Sequence, residues 1–222
     1  RPPTDWDPRG TLDKPLSNDT LPLYINNTRA GLLRGRAKMK EFERKVLAFA
    51  ASNSRISINK TLVSYAKGLL EAGLIDNTDV EVIDINDFEM PLYSVDREQE
   101  EGIPDQAQQF YRKIGEADAL IISLAEHNGF YTAAYKNLFD WTSRVDKNVY
   151  QNKPAVLFST SPGPRGAGNV LKVAKESAPF FGKDLRADDS IPRFYENFDV
   201  KYNRISNAEI QEQLESALAS LN

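Results

Sequence analysis

The stretch Lys45 to Asn59, KVLAFAASNSRISIN, decides the reading of this chain. Lys45 to Ala51 is a short apolar run with no alternating polar positions, as in a strand buried on both faces. It ends in the small polar cluster Ser52, Asn53, Ser54, and a helical period then opens near Ile58 and runs through Leu62, Ala66, Leu69 and Leu70 to Gly73. This is strand, loop, helix. The unit recurs downstream. Val80 to Ile85 reads as a second strand, Ala119 to Leu124 as a third and Pro154 to Ser159 as a fourth, with a weak strand between Leu185 and Phe194. Helices are expected from Pro104 through Phe110 and Ile114, over Ala133 to Ser143, over Val170 to Phe181 and over Ala208 to Leu221. The acidic stretch Asp96 to Glu101, beyond Pro91, reads as a solvated loop. Strands alternating with helices predict an α/β fold, a parallel sheet with helices on both faces.

Upstream of this pattern, residues 1–42 carry Pro2, Pro3, Pro8, Pro15 and Pro22 and a basic run from Arg29 to Lys40, with no sustained apolar period. Such a segment cannot build a core. It is expected to be an arm docked on its own domain or on a neighbouring subunit, ahead of a domain over residues 43–222. A processed leader and a nucleic-acid or membrane tether are the competing readings.

Composition narrows the chemistry. The chain has 222 residues, with 28 Lys plus Arg against 32 Asp plus Glu, so there is no general positive field for a phosphate backbone. It contains no Cys and one His, which excludes disulfide scaffolds, thiolate metal sites, thiol catalysis and multi-histidine metal centres. Electron transfer by such a chain requires an organic cofactor. No apolar run approaches the roughly 20 residues that span a bilayer. A cytoplasmic protein without nucleic-acid or membrane partners is the expectation.

In open parallel sheets, ligands bind outside the carboxyl ends of the strands. The first such loop, Ser52 to Asn59, sets hydroxyls, a guanidinium and an amide at the start of a helix, where free backbone N–H groups favour an anion. It lacks the G-x-x-x-x-G-K-[ST] and G-x-G-x-x-G patterns, which favours a monophosphate over a triphosphate or pyrophosphate. The competing reading is that Ser57 caps the helix and its neighbours are solvated turn residues. The second loop, Ala125 to Thr132, contains the tight-turn pair Asn128-Gly129, whose backbone can approach a flat ligand closely. The third, Ser159 to Gly168, is too rich in Gly and Pro to be only a connector.

These residues resemble the NADPH-dependent FMN reductase family of flavodoxin-like proteins, which includes quinone, azo-dye and chromate reductases. The family's G-S-x-R-x-x-S-x-N loop is matched at Ser52, Ser57 and Asn59, with Ala51 and Ser54 in place of its Gly and Arg, and Arg55 one position later. Its P-E-Y-N segment resembles Ala125 to Asn128, and L-K-N-x-x-D-W resembles Tyr135 to Trp141. Its S-x-G-x-x-G loop resembles Ser161 to Gly166, and L-P-L-Y resembles Met90 to Tyr93. The resemblance spans about Lys45 to Phe181. It implies a flavodoxin-like, doubly wound five-stranded sheet of order 2-1-3-4-5, FMN held noncovalently, NADPH or NADH as co-substrate, a small-molecule electron acceptor, and a homodimer or homotetramer.

By the same resemblance the cofactor contacts are Ser52, Ser54, Arg55, Ser57, Ile58 and Asn59 in the first loop, Glu126, His127, Asn128 and Gly129 in the second, and Ser161, Pro162 and Gly163 in the third. No side-chain base is required, so no catalytic residue is assigned; backbone amides over Glu126 to Gly129 are expected to face the negative charge of the reduced flavin. His127 either tunes the flavin or only packs on it, and Arg165 either grips a nicotinamide phosphate or is solvated. Asp140 and Trp141 are expected to cap and anchor a helix. Two other classes stay open: an electron-transfer flavodoxin, whose T-x-T-G-x-T loop is missing here, and a non-catalytic binding module of the same fold.

Overall fold

The computed structural model describes residues 44–222, so the expected arm over 1–42 lies outside the described residues. Five strands form the sheet: β1 (Arg44–Ala51), β2 (Thr78–Ile83), β3 (Ala119–Leu124), β6 (Lys153–Thr160) and β7 (Lys183–Ile191). Their order is β2-β1-β3-β6-β7 and every pairing is parallel. This is the expected 2-1-3-4-5 arrangement, because β4 (Glu126–His127) and β5 (Phe130–Tyr131) form a separate hairpin.

The alternation of side chains along β1 shows why the run is apolar throughout. Leu47, Phe49 and Ala51 enter one core with α3 (Asp105–Glu116), α4 (Ala133–Val145) and α5 (Gly168–Ser177), while Val46, Ala48 and Ala50 enter the other with α1 (Ile58–Leu69) and α7 (Ala208–Ala219). Among the described residues no helix is long and apolar enough to cross a membrane.

One expectation about the elements is corrected. Asp96 to Glu101 is not a loop: α2 (Val95–Glu101) forms there, with Ser94 accepting from the Arg97 backbone N–H and Asp96 and Glu98 in the first turn. Acidic residues at a helix start are favoured by its dipole, and because the helix buries no side chain it left no apolar period to read. Glu98 is tied down by Arg144 at 3.0 Å and by the Tyr93 hydroxyl at 3.0 Å. Beyond β7, Phe194–Asn197 forms a short helix, α6, and Phe198–Asp199 (β8) pairs with Arg204–Ile205 (β9).

Trp141 is fully buried and its indole N–H donates to the Pro91 carbonyl at 2.7 Å, which anchors α4 to the loop after β2. Asp140 instead accepts from Lys136 one turn earlier in α4.

The outer strand β7 carries Asp184, Arg186, Asp188 and Asp189, and its register with β6 skips Arg186. It opens on Lys183, which is only 7% exposed, with its ammonium 4.1 Å from the centre of the Tyr150 ring. The Tyr150 hydroxyl is 2.6 Å from that of Tyr135. Burial pulls the Lys183 pKa down to about 7.

Candidate functional site

A cleft of about 280 Å³ opens at the carboxyl ends of β1, β3 and β6, close to the lower end of the range for small-molecule sites. Of the residues expected to hold a cofactor, Ser52, Ser54, Ser57, Ile58 and Asn59 line it from the first loop, Glu126 and His127 from the second, and Ser161 and Pro162 from the third. The fold therefore brings the three loops to one hollow. Arg55 is exposed and does not line it, and neither do Asn128, Gly129 and Gly163.

Each loop is held by hydrogen bonds the sequence can be searched for once the topology is known. At the first loop Ser57 caps α1, its hydroxyl oxygen accepting from the Lys60 backbone N–H at 3.4 Å, and the Ser52 hydroxyl oxygen accepts from the Ser54 N–H at 3.3 Å. Capping leaves the Ser57 hydroxyl proton free, so capping and ligand binding are compatible. Asn59 is buried and ties the first turn of α1 to two strands: its carboxamide oxygen accepts from the Ser123 hydroxyl at 2.8 Å and its amide donates to the Thr160 carbonyl at 3.5 Å. The nearby Lys60 is engaged by Asp84 at 2.5 Å. Burial pushes the Asp84 carboxyl up, but hydrogen bonds from Lys60 and the Asn86 N–H outweigh it and hold the pKa below the usual value.

The second loop is a hairpin rather than irregular chain. Asn128 and Gly129 both have positive φ, 54° and 81°, the signature of a tight two-residue turn whose twist matches its strands. The Glu126 carboxylate accepts from the Val170 backbone N–H at 2.9 Å and from the Asn169 amide at 3.4 Å. It thereby caps α5, whose own cap residue Ala167 has no hydrogen-bonding side chain to offer, and fastens the hairpin to the first turn of that helix. The Glu126 side chain is thus committed to structure, and the backbone of the hairpin is what remains to face a ligand.

The third loop is locked from below. Gly166 has φ of +55°, and a Cβ there would lie 2.3 Å from the Ser190 hydroxyl and 2.9 Å from the backbone of Ile191 and Pro192. Its carbonyl accepts from both the Ser159 and Ser190 hydroxyls, at 2.8 and 2.9 Å.

Four lining residues escaped sequence reasoning: Ile56, Ala125, Thr160 and Tyr195. Tyr195 is on α6, beyond β7, and the backbone brings it in: the Arg193 N–H donates to the Gly163 carbonyl at 2.9 Å and the Phe194 N–H to the Ser161 carbonyl at 3.1 Å. The signal that could have found it is topological, since β7 also ends at this edge of the sheet and the Pro192-Arg193 break follows it. A second hollow of about 300 Å³ lies across the first loop, between Asn53, Asn86 and Met90 on one side and Ala133 and Asn137 of α4 on the other.

The donor set fits a flavin mononucleotide: neutral hydroxyls and a helix N-terminus at one end suit a phosphate, and an exposed hairpin backbone at the other suits a flat ring. Comparison with known proteins agrees. A family model described as NADPH-dependent FMN reductase matches residues 44–182. An NAD(P)H-dependent FMN reductase of Pseudomonas aeruginosa is 32% identical over 136 residues, 61% of this chain and 70% of that protein. An NADPH:quinone oxidoreductase of Arabidopsis thaliana is 35% identical over 113 residues, 48% of this chain and 55% of that protein. Among solved structures, the flavoenzyme FerB, an NAD(P)H:(acceptor) oxidoreductase from Paracoccus denitrificans, superposes with a TM-score of 0.66 at 22% identity, covering 80% of this chain and 94% of that one, and so shares the fold.

Proposed function

The chain belongs to the NADPH-dependent FMN reductase family, and from that premise we propose that it is an NAD(P)H-dependent, FMN-containing oxidoreductase that passes hydride from nicotinamide through FMN to quinone, azo or similar small acceptors. The observation that carries the reading is the convergence of three separate strand ends on one cleft lined by Ser52, Ser57, Glu126 and Ser161. Bound FMN would supply the redox chemistry, which no side chain of this protein can.

The protein's part is positional. The start of α1 and the serines of the first loop hold the phosphate, through N–H and O–H donors. The hairpin over Glu126 to Gly129 sets its backbone beside the ring, held rigid because Glu126 is bound to α5. His127, exposed on β4, borders the place where an acceptor would lie. Assembly as a homodimer or homotetramer and a cytoplasmic location belong to the same proposal and rest on the family alone.

The test is a visible absorption spectrum of the full chain after incubation with FMN and desalting, followed by anaerobic NADPH and then a quinone. Two flavin bands that survive desalting, bleach with NADPH and return with quinone are expected. A colourless protein that retains no FMN overturns the reading and favours the non-catalytic module. Bands that bleach only with an added reductase favour the electron-transfer flavodoxin.

A further inference from the structure

The cleft has a property the family pattern does not anticipate: none of its lining residues is a Lys or an Arg. Arg55, expected at the phosphate, is exposed and outside the lining, and Lys60 is engaged by Asp84. The residues that line the cleft therefore offer a phosphate neutral donors only. The hydroxyl oxygens of Ser52 and Ser57 already accept from backbone N–H groups, which fixes their orientation and leaves each one proton to give.

Tyr195 supplies another. Among the described residues its hydroxyl makes no hydrogen bond, although the residue borders the cleft and is half-buried. Burial pushes its pKa up, so the phenol stays protonated at neutral pH and can donate. Tyr195 packs with Phe194 against the core that contains α1, whereas the hairpin carrying His127 is fastened to α5 on the opposite face of the sheet. Tyr195 thus shares a face of the sheet with α1, whose first residues border the same cleft.

We propose that Tyr195 is a specificity-determining residue whose hydroxyl donates to the flavin phosphate, taking the place of the absent guanidinium and making the site discriminate FMN from riboflavin. This rests on the proposed function. The Arg193 and Phe194 N–H groups, which donate to carbonyls of the third loop, fix the backbone that aims the phenol.

The experiment is titration of FMN and of riboflavin into the flavin-stripped full chain, followed by quenching of flavin fluorescence, for wild type and Tyr195→Phe, with thermal melts to confirm folding. The ring and its packing are kept in the variant, so only the hydroxyl is removed. A hydrogen bond to a charged group implies a loss of about tenfold or more in FMN affinity with riboflavin affinity unchanged. Equal weakening of both flavins would mean that Tyr195 serves the ring or the fold and would overturn the proposal, as would an unchanged FMN affinity. A wild-type chain that binds neither flavin overturns this proposal together with the cofactor reading, whereas wild-type binding of FMN with an indifferent variant overturns this one alone.

Discussion

Replacing Lys183 by Met, an unbranched side chain of similar length, should stabilise the protein at neutral pH and change how its stability depends on pH. In the fold the ammonium is buried and titrates near 7, against 10.5 for an ordinary lysine. Between those values the unfolded chain binds the proton and the native state does not, so this residue makes stability rise with pH. The full difference of roughly 3.5 units, at about 1.4 kcal/mol each, corresponds to about 5 kcal/mol. The Tyr150 face beneath the ammonium favours the charged form and returns about 1–2 kcal/mol of that. Within the window from pH 7 to 9.5, below the titration of the buried tyrosines, the net rise is about 2–3 kcal/mol. Urea denaturation of both proteins across this window measures it directly. The stability advantage of Lys183→Met over wild type should be largest at pH 7 and shrink by about 2–3 kcal/mol at pH 9.5. A gap between the two that stays constant with pH would show that Lys183 is charged in the fold and would refute the reasoning.

Two further outcomes follow from the loops. Glu126→Ala removes a side-chain cap on α5 and unties the hairpin from that helix, so it should cost about 1–2 kcal/mol in denaturant unfolding and weaken FMN binding together; full FMN affinity would show that the hairpin does not need this tie. Gly166→Ala places a Cβ against backbone at a positive φ and should lower stability by about 2 kcal/mol or more, read as a fall in melting temperature, whereas an unchanged melt would mean the loop yields freely.

The sheet was legible because buried parallel strands are continuous apolar runs, and Lys45 to Ala51 or Ala119 to Leu124 could hardly be anything else. β7 was only half legible, since an outer strand built as Lys-Asp-Leu-Arg-Ala-Asp-Asp-Ser-Ile has the composition of a surface loop and owes its conformation to β6. The helix α2 was illegible for the related reason that it buries nothing and is set by a Ser94 cap and by partners on α4. At the site, the three loops could be read locally, yet the fate of Glu126 depends on a residue 44 positions away, and the arrival of Tyr195 on backbone bonds from Arg193 to Gly163 and from Phe194 to Ser161. The low pKa of Lys183 was invisible for the same reason, because the residues that bury it come from elsewhere in the chain.

The charges along β7 have a consequence for the protein at high concentration. An outer strand of nine residues presents a ladder of open N–H and C=O groups, a ready template for open-ended polymerisation. A second copy laid beside it in parallel register would set Asp184, Asp188 and Asp189 against their own counterparts, and the irregularity at Arg186 would break the ladder between them. Resistance to edge-to-edge association is therefore written into four side chains of one strand.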